Sequence, residues 1–142
     1  MDHSVSNQIG YELKHAQHAL RLKMDQALRD LELTAPQYAA LSVLADEPGL
    51  SSATLARRCF VTPQTMNSIV KQLKSSGMIE RQQHPAHGRI LQTTLTDDGQ
   101  RRVLQAHQLV SEITSRMVAT LAEAQQQQLL AWLRACSAAL GS

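Results

Sequence analysis

Aromatic residues are scarce in this chain of 142 residues, which has one Trp, one Phe and two Tyr. Ala, Leu and Gln are abundant instead, and these residues rank high among helix formers. The composition therefore predicts a mostly helical chain. Its length suits one domain, and no stretch of the sequence suggests a linker or a second core.

Cysteines are also few, and long apolar runs are missing. Cys59 and Cys136 lie far apart and give neither a CxxC motif nor metal-ligand spacing, so we expect both to be buried as small apolar residues. No apolar run approaches the roughly 20 residues of a membrane span. The first residues lack the basic and apolar regions of a signal peptide. We therefore expect a reduced, cytoplasmic protein that has no membrane partner.

Catalytic motifs are missing as well. There is no GxSxG motif, no phosphate-binding loop and no carboxylate pair in a plausible cleft. Six histidines include two close pairs, His15 with His18 and His84 with His87. Neither pair has a nearby Cys or carboxylate set that would complete a four-ligand site. The sequence thus predicts no enzyme, no cofactor, no catalytic residues and no metal site.

A helix-turn-helix pattern lies between residues 50 and 77. Ser51 can cap a short helix, and after a turn Thr62-Pro63 places an N-cap before a proline at the first helical position. The apolar residues of this second helix have the i, i+3, i+4, i+7 spacing of an amphipathic helix and are Met66, Ile69, Val70 and Leu73. Gly77 is a helix-stopping residue that ends it.

The opposite face of that helix is polar and contains no acid. Two strand-like runs follow, 78–83 and 90–95, with Arg89 near the tip of the turn between them. Such a helix fits the major groove of DNA, and such a hairpin, or wing, can reach a minor groove. We predict base contacts from Gln64, Asn67 and Ser68, base or phosphate contacts from Thr65 and Lys71, phosphate contacts from Arg57 and Lys74, a minor-groove contact from Arg89, and further DNA contacts from Thr62 and Pro63.

The charge distribution supports this prediction. The whole chain is only +2, but residues 51–89 carry six Lys/Arg against Glu80 alone, a balance of +5. Residues 1–50 carry four Lys/Arg against seven Asp/Glu, a balance of −3. The positive charge is therefore concentrated where phosphates would be met.

Both chain ends predict long helices with apolar stripes, which we call the terminal seams. The first seam recurs in steps of four and three and contains Ile9, Leu13, Ala16, Leu20, Met24, Ala27 and Leu31; the last contains Leu129, Leu130, Leu133, Cys136 and Leu140. We expect Trp132 to pack at a subunit interface. A small DNA-binding region at 33–96 cannot cover these seams, so helices at 5–32 and 97–141 are expected to form a homodimer. The predicted fold is mainly α with a small β wing.

Taken together these segments resemble the MarR family of bacterial transcriptional regulators. The resemblance covers nearly all of the chain and rests on Leu33-Thr34-Ala35-Pro36-Gln37-Tyr38, Pro48-Gly49-Leu50-Ser51, Leu55-Ala56-Arg57-Arg58, Val61-Thr62, Gly77-Met78-Ile79-Glu80-Arg81 and Leu95-Thr96-Asp97-Asp98-Gly99. It implies a homodimer that binds a pseudo-palindromic operator, with repression relieved by a small ligand or by oxidation. The wing departs from the family pattern, because His84 and His87 stand where acids are usual.

The resemblance also implies an effector site along the first helix. Tyr11, His15 and His18 lie opposite the first terminal seam and are expected to face the winged region, where related proteins hold aromatic acids. They are our candidates for binding a small aromatic or anionic effector. An equally weighted alternative is that the histidines are merely exposed or packed.

Two other functions remain open at this point. One is a redox-sensing regulator that acts through a cysteine. The other is a winged helix that binds protein and not DNA, which would require apolar or acidic residues on the outer face of helix 63–76.

Overall fold

The computed structural model describes residues 3–83, 85–86, 88 and 91–141. Its elements are α1 (Val5–Leu28, followed by a 3-10 turn, Arg29–Leu31), α2 (Ala35–Asp46), α3 (Ser52–Arg58), α4 (Pro63–Ser75), β1 (Ile79–Gln83), β2 (Leu91–Leu95), α5 (Asp97–Met117) and α6 (Glu123–Ala139). This order of elements confirms the predicted fold, which is mainly helical with a small two-stranded wing.

Hydroxyl side chains fix where four of the helices begin. Thr34, Ser51, Thr62 and Thr96 each accept a hydrogen bond from a backbone N–H in the first turn of α2, α3, α4 and α5, at 3.1–3.3 Å. At α2 the Gln37 side chain also accepts from the Thr34 N–H at 3.0 Å, which completes a capping box. Each such cap contributes about 1 kcal/mol.

The wing is a short antiparallel hairpin. Its register pairs Ile79 with Leu95 and Gln83 with Leu91. The chain before α3 adds a bridge, since the Thr93 N–H donates to the Leu50 carbonyl at 3.0 Å. The strands thus agree with the predicted runs to within one residue. The wing-tip residues His84, His87 and Arg89 lie outside the described residues, so the predicted minor-groove contact of Arg89 stays a prediction.

The core lies between α2, α3, α4, β1 and the first half of α5. Its largest fully buried side chains are Leu28, Leu41, Leu44, Leu55, Met66, Leu73, Thr93 and Val103. Where α5 begins, Gly99 lies against the wing so closely that a Cβ there would collide with the Met78 carbonyl oxygen. The start of α5 is therefore held directly on the DNA-binding region.

The terminal helices are mostly exposed. α1 packs against α5 and α2, and Leu28 is its only buried residue. None of the residues of α6 is buried, and Ile9, Trp132 and Leu133 are 57%, 60% and 41% exposed. The terminal seams therefore have no sufficient cover within one chain. The expectation that Cys136 is buried is wrong for the single chain, where the residue is exposed because α6 is not covered.

Candidate nucleic-acid interface

The two sides of α4 differ sharply in burial. Its apolar side, with Met66, Ile69, Val70 and Leu73, lies in the core. The predicted base-contacting residues Gln64, Asn67 and Ser68 are all exposed, as are Thr65, Lys71 and Lys74. Because the apolar side anchors the helix, the polar side must point to solvent. The structure therefore brings these six predicted residues together on one accessible surface, the α4 face.

The start of α4 is rigidly capped. The Thr62 hydroxyl accepts from the Thr65 N–H at 3.1 Å and donates to the Thr65 hydroxyl at 3.0 Å. Pro63 occupies the first turn, and that turn contains no acid. No acidic side chain in the first turn therefore offsets the positive end of the α4 dipole. This end of the helix favours a nearby anion such as a phosphate.

The basic residues of α3 have different roles. The Arg57 guanidinium is exposed and donates to the Thr54 hydroxyl at 3.1 Å, so it is available to a phosphate as predicted. Arg58 instead forms an ion pair with Glu47, Nε to Oε2 at 3.0 Å. Its charge is therefore partly neutralised, and it links α3 to the end of α2.

Arg81 joins the wing to α3. Its guanidinium Nη2 donates to the Ser52 hydroxyl at 3.0 Å. Its Nε is buried without a partner, and so is the hydroxyl of Thr93, the cross-strand neighbour of Arg81. Sequence reasoning missed this link, because no local pattern connects a strand to a helix 29 residues away.

Gln37 on α2 forms a hydrogen bond with a residue of α4. While its Oε1 takes part in the α2 capping box, its Nε2 donates to the Gln72 Oε1 at 2.9 Å. Gln72 lies at the flank of the α4 face, so this bond ties the start of α2 to that helix. No sequence signal indicated that Gln37 would contact Gln72, because the two residues are 35 positions apart.

The proposed effector residues lie on an open part of α1. Tyr11 is 66% exposed, and His15 and His18 are exposed as well. The Tyr11 and His15 rings are neighbours, with centroids 6.1 Å apart, and the His15 Nδ1 is 3.6 Å from the Glu12 Oε2. Within one chain α1 packs mainly against α5 and α2. Their role in ligand binding stays a prediction.

A cavity that the sequence did not reveal lies between α1 and α5. It has a volume of about 280 Å³ and contains two cationic side chains among apolar ones. Its lining residues are Ala16, Ala19, Leu20, Lys23, Ile113, Arg116 and Met117. The cavity combines an apolar wall with positive charge and has no acidic lining residue, which suits a small amphipathic anion.

The remaining chemistry of the described residues is limited. No group of three or more His, Cys, Asp or Glu side chains among them is placed to hold a metal ion. Cys59 is half-buried, and burial raises the pKa of its thiol. The reactive thiolate is therefore disfavoured, which does not support the redox alternative. No helix in the described ranges is long and apolar enough to cross a bilayer.

Comparison with known proteins agrees with this geometry. Residues 31–90 match the model of the MarR family. The chain is 38% identical over 120 residues to the HTH-type transcriptional repressor Rv2887 of Mycobacterium tuberculosis, and the match covers 84% of this chain and 86% of that protein.

Solved structures extend the match to the fold. The structure of Rv2887 in complex with DNA has a TM-score of 0.75 and 33% identity, covering 99% of this chain and 100% of that one. Its complex with salicylic acid has a TM-score of 0.74 and 35% identity, covering 95% and 97%. BpsR of Bordetella bronchiseptica, whose DNA binding is regulated by 6-hydroxynicotinic acid, has a TM-score of 0.83 and 25% identity, covering 92% and 98%. The chain belongs to the MarR family of winged helix-turn-helix transcriptional regulators.

Proposed function

We propose that this protein is a repressor that binds a pseudo-palindromic operator as a homodimer and releases it when a small aromatic acid binds. The α4 face carries the proposal, because it is exposed, rich in hydrogen-bonding groups and free of acids. The relative Rv2887 is a repressor for which a DNA complex is known. No catalytic step or cofactor is assigned, and a cytoplasmic location remains part of the proposal.

The chemistry of the α4 face favours adenine-containing half-sites. Gln and Asn side chains pair bidentately with adenine in the major groove, and Gln64 and Asn67 are both exposed on this face. Arg57 and Lys74 lie at its borders and would neutralise phosphates, which gives affinity without sequence preference. An interaction surface for protein would need apolar or acidic side chains here, and the α4 face has neither.

Replacing Asn67 by Ala tests base reading. The operator is first selected by the purified protein from a random DNA pool. On that operator Asn67→Ala should weaken binding by about 1–3 kcal/mol and relax preference at one base pair per half-site. Lys74→Ala should instead weaken binding to all DNA sequences alike. It should also make the slope of log binding constant against log salt concentration shallower by about one unit. Fluorescence anisotropy at several salt concentrations measures both effects.

Gln128→Ala is the matched control, because Gln128 is an exposed amide on α6, away from the α4 face. It should bind like the wild type. If Asn67→Ala and Gln64→Ala both kept full affinity and unchanged base preference, the placement of α4 in the major groove would be wrong.

The effector proposal rests on α1. We propose that the carboxylate of an aromatic acid is held by His15 and His18, with the Tyr11 ring beside it. Glu12 lies 3.6 Å from His15 and repels an anion there. The cavity between α1 and α5 is therefore a second candidate for the effector site, because Lys23 and Arg116 line it and no acidic residue does. DNA is released if the ligand binds more tightly to the dimer whose two α4 helices have a spacing that does not fit DNA. A coupling free energy of about 1.4 kcal/mol between ligand binding and DNA binding lowers DNA affinity tenfold.

Titration calorimetry with salicylate separates the two locations. The double variant His15→Ala/His18→Ala should lose about tenfold in affinity, equivalent to one lost charge-assisted contact of roughly 1.4 kcal/mol. Lys23→Ala/Arg116→Ala is the paired variant and should keep wild-type affinity. The reverse pattern would move the site to the cavity, and equal affinity of all three proteins would remove both sites from consideration.

A further inference from the structure

Phe60 has a backbone conformation that suits glycine. It follows the end of α3 with φ 59°, in the left-handed region. The Val61 N–H donates to the Ala56 carbonyl at 3.1 Å and the Phe60 N–H to the Arg57 carbonyl at 3.3 Å. These two bonds form a Schellman motif, in which the left-handed residue is usually glycine because a Cβ is unfavourable there. A bulky aromatic residue at this position is thus strained.

The ring of Phe60 adds nothing to the core. It is 94% exposed, and no other large apolar side chain among the described residues is as exposed. Its neighbours Cys59 and Val61 are partly buried against the core, so the turn itself is well held without the ring. Phe60 is therefore unfavourable for folding in both backbone and side chain. An outlier of this kind, held in place by its surroundings, points to a function.

The position of Phe60 selects DNA as its partner. It lies two residues before Thr62, the cap of α4, and between exposed Arg57 and the first turn of the α4 face. A protein-binding hot spot needs a surrounding apolar patch, whereas the exposed neighbours Arg57, Arg58 and Thr62 are basic or polar. The same surroundings suit the edge of a major groove, where the 5-methyl group of thymine is the apolar feature that a Phe ring contacts.

We propose that Phe60 is a specificity-determining DNA contact whose ring packs on the 5-methyl group of one thymine in each half-site. This inference rests on the proposed function, because it requires α4 to enter the major groove. It adds an apolar contact to a surface whose other members read DNA by hydrogen bonds and charge.

Phe60→Gly separates folding from DNA binding. Glycine adopts a positive φ freely, so the variant should unfold at a temperature a few degrees higher than the wild type. Its operator affinity should fall by about tenfold, because the ring contact is lost. Replacing the contacted thymine by uracil should weaken the wild type by about fourfold, the effect of one lost methyl group, and should leave Phe60→Gly unaffected.

Glu32→Gly is the matched control. Glu32 is the other described non-glycine residue with a positive φ, 57°, and it lies after α1, away from α4. This variant should also gain thermal stability but bind the operator at least as well as the wild type. That outcome would show that relief of backbone strain alone does not weaken DNA binding.

Several outcomes would overturn the inference. Phe60→Gly could bind the operator with wild-type affinity, or the wild type could be indifferent to uracil at every thymine. Full DNA affinity of Phe60→Gly combined with lost repression in cells would assign Phe60 to a protein partner. A wild type that selects no sequence from the random pool would instead contradict the proposed function itself, so the two failures are distinguishable.

Discussion

At the scale of single residues, Cys59 shows how burial decides chemistry. It ends α3, where its N–H donates to the Leu55 carbonyl at 3.0 Å, and its side chain packs partly against the core. Because burial raises the pKa of the thiol, the thiolate is scarce at neutral pH. A sensor cysteine needs the opposite environment, exposed and close to positive charge. Cys59 is therefore best understood as a packing residue.

The raised pKa of Cys59 predicts a dependence of stability on alkaline pH. The folded state holds the thiol proton more tightly than the unfolded state. Stability is thus fully present below the ordinary cysteine pKa of 9.0 and is lost as pH rises through the higher folded value. Burial likewise raises the pKa of Tyr38, so a second decline should begin above 10.0.

Urea unfolding at several pH values from 7 to 11 measures this decline. Cys59→Ala should lower stability at neutral pH but show a shallower decline just above pH 9, because one linked proton is missing. Val61→Ala serves as the control, because Val61 is also partly buried against the core but does not titrate. Identical pH slopes for the wild type and Cys59→Ala would show that the thiol is not in the environment described.

At the scale of elements, caps were predictable but one helix end was not. Ser51 and Thr62 start their helices where the sequence indicated, because a cap is a contact between residues three apart. The apolar steps of α1 continue to Leu31, yet the α-helix ends at Leu28 and gives way to a 3-10 turn. Periodicity alone cannot show this ending, because the spacing of apolar residues persists through the tighter turn.

Contacts between elements hold the α4 face in place. Gln37 reaches Gln72 at the flank of α4, and Arg81 reaches Ser52 on α3. Tyr38 on α2 and His107 on α5 are similarly joined, with the phenol oxygen 2.6 Å from Nδ1 and the rings edge to face. Each pair lies 29 or more residues apart in sequence, so these supports emerge only from the fold.

In the molecule as a whole, the terminal seams are the main apolar surface that a single chain leaves exposed. Apolar side chains of α1, α5 and α6 remain exposed, among them Ile9, Met117 and Leu133. Leaving such a large apolar area in water is unfavourable, and a two-fold pairing of identical helices would bury it. We propose that two chains pair through α1, α5 and α6, which would set the two α4 faces about one helical turn, or 10 base pairs, apart.

Leu133→Asp tests this pairing. Leu133 is not part of the core of the single chain, so the variant should keep its helices but become monomeric and lose operator binding. Light scattering after size exclusion measures the mass, and circular dichroism checks the helices. Gln128→Asp places the same charge on an exposed position about 140° around α6 from Leu133 and should remain dimeric. A folded wild-type monomer at micromolar concentration would contradict the proposal.

Features that depend on near neighbours could be predicted from the amino-acid sequence. The caps, the amphipathic stripe of α4, the wing strands and the basic segment all follow from residues within one or two turns of each other. The packing of the helices and strands determines which side chains are buried together and which remain exposed. It revealed the exposed ring and positive φ of Phe60, the cavity between α1 and α5, and the exposure of Cys136. Burial depends on segments distant in the chain, and the described residues of one chain leave much of the terminal seams uncovered.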